Sequence, residues 1–106
     1  MELTENRIGH AVEISIKGRI DNYTAPVLDE EIKKNLSSPV IWTLILDFAG
    51  VEYISSAGIR VLLSAQKHMK ANREMIIRNP SLFSQQVFSV TGADIFLKIQ
   101  YGDTTE

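Results

Sequence analysis

The chain has 106 residues, of which 11 are basic and 13 acidic, giving a net charge of −2. This length suits one small domain, and the 44% hydrophobic content is enough to fold it. The charges are nearly balanced, and the sequence has no stripe of basic residues of the kind that nucleic-acid binders carry. The absence of cysteine excludes disulfides and thiolate metal sites.

The first part of the chain predicts two strands. Apolar and polar residues alternate from Val12 to Ile16, which indicates a strand with one solvated face. We expect this strand to end at Gly18, since glycine is a common strand breaker. Residues Met1 to Arg7 are a candidate for a preceding edge strand.

The segment Thr24 to Leu36 predicts the first helix. Thr24 can cap its start, and Pro26 suits its first turn. Leu28, Ile32 and Leu36 recur at four-residue spacing, so they are expected to form the apolar face of this helix.

The segment Ile41 to Phe48 is a nearly continuous apolar run. Such a run is typical of a strand buried on both faces, so we place it in the centre of a sheet with helices covering it. Asp47 lies at its carboxyl end.

A second helix is predicted from Ser56 to Ala71, followed by a short strand from Glu74 to Arg78. Asn79 and Pro80 end that strand, because this dipeptide favours a turn.

A third helix and a last strand complete the prediction. Ser81 can cap the third helix and Gly92 can end it. The residues expected to face inward are Phe83, Val87 and Val90. The last strand is predicted from Ile95 to Ile99.

The predicted order is β-β-α-β-α-β-α-β, which indicates an α/β fold with a mixed sheet of four to five strands and helices packed on it. In such sheets, functional residues collect in loops beyond the carboxyl ends of the strands. Those loops are 18–23, 49–56 and 79–81.

The loop before the second helix carries the most informative residues. Ser55 and Ser56 stand at the helix start, where unpaired backbone N–H groups favour either a capping hydroxyl or a phosphate. The residue pattern leaves both interpretations open. The small residues Ala57 and Gly58 would let another protein approach the backbone closely.

Several stretches resemble the STAS family of anti-sigma factor antagonists, in family order and over almost the whole chain from Val12 to Ile99. They are Gly18–Asp21, Thr24–Pro26, Leu44–Asp47, YISSAGIRVLL at Tyr53–Leu63, Arg78–Ser81 and Val90–Ala93. The resemblance implies a single STAS-like domain over residues 1–106. Residues 101–106 are expected to form a frayed tail, because the chain end is polar.

The resemblance also implies a mechanism. The unphosphorylated antagonist binds an anti-sigma factor that is itself a serine kinase, which releases the sigma factor. The kinase then phosphorylates a serine that corresponds to Ser56, with Ser55 as a second acceptor, and a metal-dependent phosphatase of the PP2C type resets the switch. The family usually has aspartate where this chain has Ser55, and often a hydroxyl residue where it has Ala57.

The partner surface implied by the resemblance lies on the loop at residue 21 and on the second helix. Its residues are Asp21, Asn22, Ser55, Ser56, Ala57, Gly58 and Arg60. Asp21 is equally compatible with a simple turn, and Asp47 and Asn79 are expected to support the site structurally. We expect a cytoplasmic monomer with no membrane segment, no cofactor or metal, no direct nucleic-acid contact and no catalytic residues.

The sequence bears differently on three other functions. A serine hydrolase would need the G-x-S-x-G elbow, which is absent around Ser56. A phospho-aspartate receiver would need an acidic pair after its first strand, where only Asp21 stands. A STAS scaffold or regulatory subunit in a stress-signalling or lipid-transport assembly, acting without phosphorylation, stays open.

Overall fold

The structure, a computed structural model, describes residues 1–102; residues 103–106, which include most of the predicted frayed tail, lie outside the described residues. The strands are β1 (Glu2–Ile8), β2 (Ala11–Ile20), β3 (Thr43–Ile54), β4 (Glu74–Arg78) and β5 (Ile99–Gln100). The helices are α1 (Ala25–Leu36), α2 (Ser56–Lys67) and α3 (Leu82–Thr91), followed by a 3-10 turn at Ala93–Ile95. The predicted order of strands and helices is confirmed.

The five strands form one sheet in the order β1-β2-β3-β4-β5. β1 pairs with β2 in an antiparallel manner, and the other three pairings are parallel. The predicted α/β domain with a mixed sheet is therefore confirmed, and β3 lies at its centre. None of the helices in residues 1–102 is long and apolar enough to span a bilayer.

One face of the sheet carries the core. Alternate residues of β2, β3 and β4 are buried there, and they join one apolar cluster with buried residues of all three helices. The opposite face is only partly buried, with Ile45 and Asp47 of β3 on it. The prediction that this strand is buried on both faces is therefore wrong, because the helices cover only the core face.

Strand β2 does not end at Gly18 as predicted. Gly18 has φ +100°, a conformation that L side chains rarely adopt, and the register with β3 shifts directly after it. The glycine therefore bends the strand, which continues to Ile20.

The predicted ends of α2 and β5 also need correction. α2 ends at Lys67, four residues before the predicted end at Ala71. The predicted strand from Ile95 to Ile99 is mostly absent, because Ala93–Ile95 forms a 3-10 turn and only Ile99–Gln100 pairs with β4.

The inward face of α3 is rotated from the predicted one. Val87 packs against the core as predicted, but Ser84 and Phe88 are the buried residues, whereas Phe83 and Val90 are exposed. The buried Ser84 hydroxyl lies 2.9 Å from Ser81 Oγ, so it is satisfied inside the protein. A buried serine is invisible to an apolar pattern, and this explains the error.

Candidate functional site

The candidate site is the start of α2, where β3 passes directly into the helix. The backbone N–H of Ser55 donates to the carbonyl oxygen of Ile20 at 2.8 Å. This bond ties the helix start to the end of β2. The two serines therefore lie at the carboxyl edge of the sheet, where functional loops are expected.

Ser55 is the capping residue of α2. Its backbone is extended, and its Oγ accepts a hydrogen bond from the backbone N–H of Gly58 at 3.3 Å. This bond satisfies one of the N–H groups that a helix start leaves without a partner. The Ser55 hydroxyl therefore already has a structural use.

Ser56 is the first residue of the helix, and it is exposed. Its hydroxyl forms no hydrogen bond within residues 1–102. It stands at the positive end of the helix dipole, and the first turn of α2 contains no acidic residue. The two neighbouring hydroxyls therefore differ. The Ser55 hydroxyl accepts a hydrogen bond, whereas the Ser56 hydroxyl is exposed to solvent and forms none within residues 1–102.

Gly58 serves internal packing. It is buried, and a Cβ atom there would lie 2.7 Å from Ile54 Cγ1 and 2.8 Å from Ile20 Cγ2. The absence of a side chain lets the helix approach the ends of β2 and β3. The expectation that Gly58 gives a partner access to the backbone is therefore corrected.

The loop before α1 is organised by the carboxylate of Asp21. Its Oδ1 accepts hydrogen bonds from the backbone N–H groups of Thr24 at 3.0 Å and Tyr23 at 2.9 Å. The bond from the Thr24 amide is the main cause of a lowered Asp21 pKa, because it stabilises the ionised carboxylate. The predicted cap at Thr24 is wrong: its side chain makes no capping bond and lies instead 2.9 Å from the Arg19 carbonyl oxygen.

A shallow groove of about 330 Å³ between α1 and α2 brings three of the predicted partner-binding residues together. They are Asn22, Ala57 and Arg60. Arg60 is exposed, forms no salt bridge within residues 1–102, and lies one helical turn after Ser56. The groove therefore runs beside the open serine and has an unneutralised cation on its wall.

Asp47 and Asn79 form a separate structural pair. Asp47 Oδ1 accepts from the backbone N–H of Ala49 at 2.9 Å, and its Oδ2 lies 3.4 Å from Asn79 Nδ2. Asn79 has φ +53°, and its N–H donates to the carbonyl of Gln100. Their contacts hold the strand ends, and none of them reaches α2.

An aromatic cluster beside the site was missed from the sequence. The guanidinium carbon of Arg19 lies 4.2 Å above the Tyr53 ring, and the Tyr53 and Phe83 rings are 5.8 Å apart. Tyr53 stands two residues before Ser55, so this cluster borders the helix start. One indication of this cluster was present in the sequence. Tyr53 lies near the carboxyl end of β3 and Phe83 follows the carboxyl end of β4, and these ends lie at the same edge of the sheet.

A family model described as Mlab, STAS domain matches residues 3–99. The match covers nearly all of the chain, so the protein belongs to the STAS domain family. Within residues 1–102, no group of three or more histidine, aspartate or glutamate side chains is placed to hold a metal ion.

The chain is also similar to several individual proteins. It is 28% identical over 101 residues to an anti-sigma-B factor antagonist of Listeria monocytogenes, covering 94% of this chain and 87% of the relative. An anti-sigma factor antagonist structure from Mycobacterium paratuberculosis aligns with TM-score 0.86 at 19% identity, covering 97% of this chain and 86% of the other. The structure of unphosphorylated SpoIIAA aligns with TM-score 0.78 at 19% identity, over 92% and 87% of the two chains. At these identities the structures establish the shared fold.

Proposed function

We propose that this protein is an anti-sigma factor antagonist whose binding surface is switched by phosphorylation of Ser56. The observation that carries the proposal is the exposed Ser56 hydroxyl at the start of α2, next to a Ser55 hydroxyl that already caps the helix. The Listeria and Mycobacterium proteins similar to this chain are anti-sigma factor antagonists, which supports the same class of protein. SpoIIAA, a Bacillus protein of the same fold, has been solved in a phosphorylated form.

The physical basis of the switch is electrostatic. A phosphoserine carries about −1.5 to −2 charges near neutral pH. At Ser56 this charge would be stabilised by the helix start and would lie beside Arg60, because residues four apart are neighbours on a helix. A partner surface that fits a neutral hydroxyl and a free Arg60 would then meet a phosphate and a neutralised cation.

The proposed partner is an anti-sigma factor of the serine-kinase type, and a PP2C-type phosphatase restores the binding form. Binding displaces the sigma factor from the same anti-sigma factor. The chain itself acts by binding rather than by catalysis, needs no cofactor, and works in the cytoplasm.

The test is the affinity of a kinase-type anti-sigma factor for three variants, measured by calorimetry. Ser56→Ala should bind like the wild type, and Ser56→Asp should bind at least about tenfold more weakly, since it places a charge on the partner surface. Ser55→Asp is the matched control, because aspartate also caps helices and directs its charge to the Gly58 amide. Equal affinities for Ser56→Ala and Ser56→Asp would contradict the switch.

One observation favours a second candidate, a STAS scaffold or regulatory subunit that binds without phosphorylation. This chain has Ser55 and Ala57 where the family commonly has aspartate and a hydroxyl residue. A stable complex that never acquires phosphate, with equal affinities for the Ser56 variants, would support this candidate.

A further inference from the structure

Helix α3 is the one helix in residues 1–102 that contains no charged residue. Its sequence is LFSQQVFSVT, and the uncharged segment extends from Asn79 to Ala93. α1 and α2 both carry charges on their exposed faces. An exposed helix without charges is unusual, because charged residues normally cover the solvent side.

The solvent side of α3 combines exposed apolar residues with uncharged polar ones. Leu82 is 79% exposed and Val90 is 87% exposed, with Phe83 beside them at 39%. Leu82, Gln86 and Val90 are four residues apart, so they form one ridge along the helix. We call Leu82, Phe83, Gln86 and Val90 the α3 face. An exposed helix face that carries three large apolar residues and no charge indicates a surface that another molecule covers.

Charge argues for a second copy of this chain as that molecule. Helices that lie on membranes carry lysine or arginine on the flank of their apolar face, and α3 has neither. In a two-fold symmetric dimer, residues near the axis meet their own copies, so a charge there would face a like charge. α3 avoids this repulsion.

The spacing of the α3 face also suits a two-fold axis. Gln86 lies near the middle of Leu82–Thr91, with Leu82 four residues before it and Val90 four residues after it. If two copies of α3 cross in opposite directions at Gln86, Leu82 of each copy meets Val90 of the other. A glutamine amide carries both donors and an acceptor, so two Gln86 side chains can pair with each other.

Asp94 adds charge complementarity. It is exposed, follows α3 in the 3-10 turn, and forms no salt bridge within residues 1–102. In the same antiparallel arrangement it approaches the start of the other copy's α3, where a negative charge is favourable.

We propose that two copies of this protein associate through the α3 face, antiparallel about a two-fold axis at Gln86. The surface is small compared with the roughly 800 Å² per partner of a standard interface, so the dissociation constant is expected in the micromolar range or above. This association replaces the sequence-based expectation of a monomer. It involves a helix other than α2 and does not depend on the proposed function.

The test is sedimentation equilibrium of the full chain at about 5 μM to 1 mM, a range that brackets the expected dissociation constant. The wild type should change from monomer to dimer over this range. Gln86→Glu and Gln86→Lys should each stay monomeric, since they place like charges at the axis while keeping good helix formers at an exposed position. An equimolar mixture of the two variants should dimerise again.

Dimerisation of the mixed Gln86→Glu and Gln86→Lys variants would distinguish a two-fold interface from unspecific apolar association, because only at a two-fold axis do the two residues at position 86 meet each other. Glu30→Gln, an exposed change on α1, is the control and should dimerise like the wild type. Val90→Ser should weaken dimerisation at least about tenfold, because each copy loses a buried apolar contact. A wild type that stays monomeric throughout, or a Gln86→Glu variant that still dimerises alone, would overturn the proposal.

Discussion

Helices α2 and α3 begin with the same arrangement of residues. Each is capped by a serine, Ser55 or Ser81, whose side chain accepts a hydrogen bond from the backbone N–H three residues later. That third position is buried in both helices, as Gly58 in α2 and Ser84 in α3. The same substitution can therefore be compared between the two helix starts.

The two helix starts differ in whether their hydroxyl groups have hydrogen-bond partners. At α3, Ser81 Oγ also lies 2.8 Å from the Val51 carbonyl and 2.9 Å from the Ser84 hydroxyl, so both hydroxyls have partners. The first helical residue there is the apolar Leu82. At α2, the first helical residue is Ser56, an exposed hydroxyl without a partner in residues 1–102. The hydroxyls at the start of α3 are hydrogen-bonded within the protein, whereas the start of α2 leaves one hydroxyl exposed to solvent.

The largest effects on stability are expected at Gly58 and at Ser81. Replacing it with alanine should destabilise the fold by about 1–3 kcal/mol, because the new Cβ would overlap Ile54 and Ile20. Alanine would otherwise stabilise a helix by up to about 1 kcal/mol. Urea unfolding measures the difference, with the exposed Ser56→Ala as control. A Gly58→Ala variant as stable as the wild type would contradict the close packing.

A smaller difference is expected between the two caps. Ser81→Ala removes the cap and the contacts with Val51 and Ser84, and it should cost about 1–3 kcal/mol. Ser55→Ala removes one bond of 3.3 Å and should cost about 0.5–1 kcal/mol. The same urea experiment compares the two variants. Equal losses in the free energy of unfolding would contradict the view that Ser81 makes more hydrogen bonds than Ser55.

The fold was largely predictable because periodicity and turn residues report local structure. The limits of β4 were predicted correctly, as was the start of α2, and Gly92 in the left-handed conformation follows α3 as expected. The inward face of α3 was not predictable, since one of its two buried residues is Ser84, whose hydroxyl lies 2.9 Å from Ser81 Oγ.

The location of the candidate site was visible in the sequence, but the roles of its residues were not. The pattern indicated two hydroxyls at a helix start, and only the coordinates show that Ser55 is engaged and Ser56 is not. Gly58 was assigned to the surface because a small residue can serve a partner or the core equally well. The contact between Tyr53 and Phe83 joins distant parts of the chain, so no local pattern reveals it.

The start of α1 provides a third comparison, because its turn is held by a carboxylate instead of a hydroxyl. Folding lowers the Asp21 pKa through hydrogen bonds led by that from the Thr24 amide. The resulting stabilisation is complete above the ordinary aspartate pKa of about 3.9 and is lost as the pH falls through the lowered value. Thermal unfolding as a function of pH should show this loss, and Asp21→Asn should reduce it. An unchanged acid slope in that variant would contradict the role of Asp21.

The smallest effect is expected at the first helical residues. Ser56→Asp should stabilise the fold by about 0.3–1 kcal/mol, since α2 has no acid in its first turn. Leu82→Asp makes the same change at the equivalent position of α3 and should give a similar gain in dilute solution. Thermal unfolding at low and high salt measures both. A loss of stability in Ser56→Asp would show that the hydroxyl is not free.

The most direct test of the central claim is site mapping by mass spectrometry after incubation with ATP and a kinase-type anti-sigma factor. The open hydroxyl predicts one added phosphate, on Ser56, and none on Ser55. Ser55→Ala should still be phosphorylated, whereas Ser56→Ala should not. Phosphate on Ser55 alone, or a stable complex that never acquires phosphate, would contradict the assignment of Ser56 as the switch.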